Sequence, residues 1–278
     1  MFFTKRQKNK QPEFYIHFCI PLSTAIEFDT NQIMKKFREQ WGIKIACGEN
    51  PEWSDSDMKI RKYLLTDGAN NLLISVDERP LPSYLSNFSI DSVHNLDADE
   101  SSSFLDHKAY ILIKFVMGDS SAMERVKFSV QSLLTLLQYD SAIGYVNVSG
   151  QVYRPKIMVE PLFERTFLEP IDLFLLCTNT HLVKNDSEHW IHTHGMEQFG
   201  LPDIEVRFSD NTNDGTKISY YRGLLNSIAI YCIESGPVLQ VGDVAELAGD
   251  GVMYKINAVK KDAEHPYGHF GAIEITKQ

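Results

Sequence analysis

The most constraining feature of this chain of 278 residues is a strand–helix–strand pattern in residues 108–148. The segment 108–117 (KAYILIKFVM) is apolar and β-prone, which predicts a strand. Asp119 or Ser120 then caps a predicted long helix, because apolar side chains recur at helical spacing after them. Residues 142–148 (AIGYVNV) predict the returning strand. Since a helix with one apolar stripe has to bury that stripe, the pattern predicts a helix packed on a sheet.

The same order of elements occurs closer to the N-terminus. Residues 14–21 (FYIHFCIP) and 43–47 (IKIAC) predict strands, and the apolar spacing between them predicts a helix that ends at Gly42. A further strand is predicted at 72–76 (LLISV). We therefore expect an α+β fold in which a ferredoxin-like sheet, covered on one side by two helices, occupies residues 1–165.

The second half, residues 166–278, predicts a smaller α+β part. Residues 203–208 (DIEVRF) alternate apolar and charged side chains, as a half-buried strand does. Residues 217–234 have helical spacing, and short strand-like segments follow Gly236. The two parts would form separate domains or pack as one continuous domain, and the sequence leaves both arrangements open.

The composition excludes several classes of function. The formal net charge is −10 and the sequence pI is about 5.4. Binding to a phosphate backbone needs clustered Lys and Arg, so nucleic acid is not an expected partner. No stretch approaches the roughly 20 apolar residues of a membrane span, so no membrane association is expected. The four cysteines are far apart in apolar surroundings, which is typical of reduced thiols, and we expect a soluble cytoplasmic protein.

The densest group of reactive side chains is the run 189–195 (HWIHTHG). In an extended segment, residues two apart point to the same side, so His192 and His194 would converge as metal ligands do. Asp203 and Glu205 form a second pair with this spacing. The short loop between the pairs contains two glycines and a proline, and it would fold the carboxylates back beside the histidines.

These two pairs predict a candidate site for a divalent metal ion, with His192, His194 and Glu205 as ligands. Asp203 or His189 would then be the base that activates a metal-bound water. Two other interpretations stay open, namely a tight structural corner and a functional site of another kind. The sequence has no His-Glu-x-x-His motif, nucleophile elbow or phosphate-binding loop, so no catalytic template is complete.

Three parts of the chain form a recognisable set. They are the strand at 72–76 with the turn at 80–82 (PLP), the central pattern that starts at 107–112 (HKAYIL) and ends at 142–145 (AIGY), and the segment 192–205 with its HTHGM and FGLPDIE motifs. In these three parts the chain resembles the bacterial family known as domain of unknown function 4261. The last of these is the most specific. The resemblance implies the family's fold and a bacterial source, and it implies no activity.

The leading hypothesis for function is a non-catalytic protein that binds another protein through the surface carrying residues 189–205. Immunity proteins, which neutralise a toxin, are one analogy for such an acidic, compact protein. The alternative is a metal-dependent hydrolase that uses His192, His194 and Glu205. No cofactor is expected apart from the divalent metal of this alternative, and the sequence leaves the oligomeric state open.

Overall fold

A computed structural model of the chain describes residues 16–54, 59–81, 104–184, 189–209, 215–236, 238–247, 249, 251–259 and 270–278. The described residues form two β-sheets and five α-helices, which confirms the α+β class. The strands are β1 (His17–Leu22), β2 (Ala46–Glu49), β3 (Ile60–Thr66), β4 (Asn70–Asp77), β5 (Ala109–Gly118), β6 (Gly144–Asn147), β7 (Val152–Pro155), β8 (Asn179–Lys184), β9 (His189–His194), β10 (Asp203–Phe208), β11 (Val244–Glu246), β12 (Met253–Ala258) and β13 (Ala272–Lys277). The helices are α1 (Thr30–Lys36), α2 (Ala122–Leu136), α3 (Lys156–Val159), α4 (Pro170–Cys177) and α5 (Thr216–Ser235).

The first sheet has the strand order β2-β3-β4-β5-β1-β6-β7. All of its pairings are antiparallel, including the central one, in which Ile20 of β1 lies opposite Ile111 of β5. The ferredoxin-like arrangement is therefore not confirmed. Strand β3 lies partly in a segment whose polar composition does not predict a strand. Residues 14 and 15 of the predicted first strand lie outside the described residues.

Helices α1 and α2 pack against the first sheet, and their apolar side chains form a core together with those of the strands. Asp29 caps α1, because its carboxylate accepts hydrogen bonds from two backbone N–H groups of the first turn. A π-helical turn continues α1 to Trp41, and Gly42 ends it with a φ of +67°. Helix α2 is capped by Ser121 together with Glu124, one to two residues later than the predicted caps.

The second sheet has the strand order β11-β12-β13-β10-β9-β8. Strands β10 and β13 are parallel, and the other pairings are antiparallel. Helix α5 packs on the face that carries Ile191 and Val206. The Thr180 hydroxyl of β8 donates to the Asn226 side-chain oxygen of α5 at 2.7 Å, which places Thr180 on this face as well.

Buried hydrophobic side chains of both sheets belong to one cluster. Helix α2 of the first half contacts α4 and the short 3₁₀ turn Met196–Phe199 of the second half. The domain boundary expected between residues 165 and 166 stays a prediction. None of the helices in the described part of the chain is long and apolar enough to cross a membrane.

Candidate functional site

Strands β9 and β10 form the hairpin that was expected to bring the two polar pairs together. Glu205 lies directly opposite His192 in the antiparallel pairing. The connection is the 3₁₀ turn Met196–Phe199, flanked by Gly195 and Gly200, whose φ angles are +103° and +72°. These angles favour glycine on both sides of the turn. The prediction that the loop folds the carboxylates back beside the histidines is confirmed for this pair.

Four side chains form a stack on the sheet face opposite helix α5. The Trp190 and His192 rings lie 4.4 Å apart between centroids, with an interplanar angle of 25°. His181 of β8 lies opposite His192, and their rings are 5.4 Å apart at an angle of 19°. The Arg207 guanidinium carbon lies 5.2 Å from the Trp190 ring centroid. Arg207, Trp190, His192 and His181, called the stack below, thus run across β10, β9 and β8.

Glu205 holds one end of the stack. Its side chain is only 1% exposed. One carboxylate oxygen, Oε2, accepts a hydrogen bond from Trp190 Nε1 at 3.0 Å, and Oε1 accepts one from Arg207 Nε at 3.1 Å. Burial raises the pKa of Glu205, although the Arg207 ion pair and the Trp190 hydrogen bond oppose that rise. Both carboxylate oxygens are therefore engaged in orienting the stack.

His194 lies beside the stack. Its ring meets the His181 ring edge-on, with centroids 5.8 Å apart and an interplanar angle of 87°. Burial, and then the charge of His181, lowers the pKa of His194 to about 4, so this imidazole is neutral at pH 7. His192 Nδ1 lies 3.1 Å from the Thr193 carbonyl oxygen. Because a carbonyl only accepts, Nδ1 donates there, and the lone pair of a neutral His192 ring lies on Nε2.

His189, one of the two candidate bases, lies on the opposite face of β9. It is three residues from His192, and odd spacing in a strand reverses the side. The side chain is buried next to Phe208, with ring centroids 5.6 Å apart. Among the described residues, neither of its ring nitrogens has a hydrogen-bond partner. The structure therefore separates His189 from His192 and His194.

Asp203, the other candidate base, is buried in the corner that follows β9. Its Oδ1 accepts hydrogen bonds from the Thr193 hydroxyl and from Met196 N–H, both at 3.2 Å. The Thr193 hydroxyl in turn accepts from Ile204 N–H at 2.8 Å. Burial raises the pKa of Asp203 to about 7, against the opposing effect of these hydrogen bonds. The contacts of Asp203 are those of a residue that stabilises the corner.

The same corner joins the second sheet to the first. Gln198 Nε2 donates to the Cys177 carbonyl at 2.8 Å, and Asn147 Nδ2 donates to Gln198 Oε1 at 2.9 Å. Gly150 N–H then donates to Asn147 Oδ1 at 2.9 Å. A Cβ atom on Gly195 would lie 2.7 Å from the Gly150 Cα, so these glycines allow the backbones to touch. This network supports the structural-corner interpretation for the part of the motif after His194.

The three candidate metal ligands are neighbours on one face, but the geometry does not make them a ligand set. Within the described ranges, no group of three or more His, Cys, Asp or Glu side chains is placed to hold a metal ion. His192 is stacked on Trp190, and Glu205 is engaged by Trp190 and Arg207. Metal binding by His192, His194 and Glu205 therefore stays a prediction.

Sequence reasoning missed His181, Trp190 and Arg207 as members of this surface. A usable signal was present in residues 179–194. Two β-prone runs there flank the turn-forming residues 185–187 (NDS), which is a hairpin pattern. Pairing the two runs would have placed His181 near His192.

Comparison with known families matches residues 192–267 to the family described as Domain of unknown function (DUF4261). The match confirms the resemblance to the DUF4261 family. It covers His192 and Arg207 of the stack and begins after His181 and Trp190. A bacterial source stays a prediction. No curated protein and no solved structure matches the chain.

Proposed function

We propose that this chain is a non-catalytic protein-binding protein of the cytoplasm, and that its partner binds on the stack face. The stack face is the face of β8, β9 and β10 that carries Arg207, Trp190, His192 and His181. The observation that carries the proposal is the stack itself, which lies on the side of the sheet opposite helix α5.

The composition and the rigidity of the stack face both support protein binding. Arg is one of the residue types that most often dominate the binding energy of protein interfaces. Trp190 is only 6% exposed, so it supports the stack from within the fold. Trp190 and Arg207 are fixed by the buried Glu205 carboxylate, so they lose little conformational freedom when a partner binds. His181 and His192 are half-buried, and the Arg207 side chain is 33% exposed, so a partner reaches them without unfolding the sheet.

An immunity-type function, in which the partner is a toxin, is a narrower version of this proposal and rests on analogy alone. It predicts that the isolated partner is toxic to cells and that co-expression of this chain restores growth. A partner without toxicity would reject the narrower version and leave the binding function in place.

The test of the binding function is affinity purification from the native host. Wild-type protein is compared with the double variant His181→Ala/His192→Ala and with the control variant Lys35→Ala, whose side chain is 72% exposed on α1. We expect a stoichiometric partner with the wild type and the control, and at least a tenfold loss with the double variant. Circular dichroism verifies that all three proteins are folded. Recovery of no partner, or of an equal amount with the double variant, would contradict the proposal.

A metal-dependent hydrolase is the second candidate, supported by the position of Glu205 directly opposite His192. It requires Glu205 to release Trp190 and Arg207 when the metal binds. His189 would not act as its base, because it lies on the other face of β9. Elemental analysis of untagged protein, before and after incubation with Zn²⁺ or Mn²⁺, tests this candidate. Protein without bound metal in both samples would reject it.

A further inference from the structure

The two sheets differ in how their edges are protected. Among the described strands, β2 and β7 are the edges of the first sheet, and β8 and β11 are the edges of the second. Strands β2 and β7 have 4 residues each and β11 has 3, whereas β8 has 6. Proteins commonly protect edge strands by keeping them short or by placing proline or charge on them. β7 ends in Pro155, while β8 (NTHLVK) is the longest of these edges, contains no proline, and has a single charged residue, Lys184, at its end.

The outer edge of β8 presents backbone groups in a regular order. In the described part of the chain β8 pairs only with β9, so the N–H and C=O groups of alternate residues point away from the sheet. The Thr180 N–H donates to the Asn179 side-chain oxygen at 2.9 Å, which identifies it as an outward amide. By alternation, the backbone groups of Leu182 and Lys184 point outward too. They give the edge two positions at which another strand can pair.

The side chains of β8 define what such a strand would carry. His181 points to the stack face, and Leu182 packs against the hydrophobic core on the α5 side. A strand added beside β8 would place its side chains alternately next to these two surfaces. An apolar residue fits beside Leu182, and a polar residue fits beside His181.

Charge decides between another protein and a second copy of this chain. Each copy carries a formal net charge of −10, so two copies repel each other, while a basic protein is attracted. We propose that a basic partner protein adds an extended, β-prone segment to the outer edge of β8 as a seventh strand. The inference rests on the proposed function, because the stack face adjoins this edge, and it names the way in which the partner binds.

The experiment uses proline to remove the outward N–H groups. Leu182→Pro and Lys184→Pro each remove one edge donor, and edge strands tolerate proline where the N–H faces outward. Leu182→Ala and Lys184→Ala are the matched controls, since they remove the side chain and keep the N–H. In affinity purification from the native host, we expect both proline variants to recover at least tenfold less partner than their alanine controls. The recovered partner should have a positive net charge at pH 7.

Every other result contradicts binding at the β8 edge, the proposed function, or both. If His181→Ala/His192→Ala loses the partner and both proline variants keep it, binding to the edge is wrong and the proposed function stands. If every variant keeps the partner, both are wrong. A partner with a negative net charge also overturns the inference. So does a wild-type dimer, measured by light scattering, that becomes a monomer in the proline variants, because a second copy would then occupy the edge.

A second measurement covers the case in which the proline variants do not fold. Hydrogen exchange of the wild-type protein is then compared with and without the purified partner. We expect the amides of Leu182 and Lys184 to exchange at least tenfold more slowly in the complex, because they become hydrogen-bonded. Unchanged exchange at both amides would refute pairing at this edge.

Discussion

Replacing Asp203 by asparagine should change how the stability of the protein depends on pH. Burial raises the pKa of Asp203 from its ordinary value of 3.8 to about 7. The folded state therefore keeps this proton to a higher pH than the unfolded state. The resulting contribution to stability is complete below about pH 4 and is lost as the pH rises through about 7. One pKa unit corresponds to about 1.4 kcal/mol, so the loss amounts to about 4 kcal/mol.

The variant Asp203→Asn keeps an oxygen that accepts from Thr193 and Met196, and it carries no charge. Urea unfolding from about pH 4 to about pH 8 measures the free energy of unfolding of both proteins. We expect the free energy of unfolding of the variant to rise relative to that of the wild type as the pH increases, by up to about 4 kcal/mol. The exposed Asp119→Asn is the control. A difference between variant and wild type that does not change with pH would refute the burial argument.

Two further predictions concern packing around the site. His189→Leu should raise the free energy of unfolding by about 1 kcal/mol, because it removes two buried ring nitrogens that have no hydrogen-bond partner among the described residues. Thermal unfolding measures the change, and a clear loss of stability would contradict it. Gly150→Ala should lower the free energy of unfolding by about 3 kcal/mol or more, since its Cβ would lie 1.9 Å from the Cys177 carbonyl oxygen. Gly48→Ala, with no atom within 4 Å of its Cβ, should change little, and equal effects of the two substitutions would argue against this reasoning.

Elements with a strong local pattern could be predicted from the sequence. β5 and α2 follow from an apolar run and a stripe at helical spacing, which depend on neighbouring residues alone. The apolar side chains of residues 171–178 have no clear period, so this segment alone fits either a strand or a short helix. Pro170 at the start and the Glu169–Asp172 capping box favour the helix. β3 and β8 escaped prediction because polar and apolar residues are mixed in them and both strands are only partly buried.

At the candidate site, too, some contacts are determined by local sequence and others are not. Glu205 could be placed beside His192, because strand alternation and a short loop determine that pair. The alternation rule also excludes His189 from the same face, and the three-residue spacing was sufficient to show it. The contacts of His181 depend on how β8 pairs with β9, and those of Arg207 depend on its ring contact with Trp190. Neither set of contacts is determined by local sequence.

The most direct test of protein binding on the stack face is a covalent footprint of the purified complex. Diethyl pyrocarbonate labels accessible imidazoles and amines, and labelling is compared between the free chain and the complex. His181 Nε2 is buried, so His192 is the residue that reports. The account predicts that labelling of His192 falls at least fivefold in the complex, while labelling of Lys35 on α1 stays unchanged. A complex in which His192 labels as in the free chain would contradict the central claim.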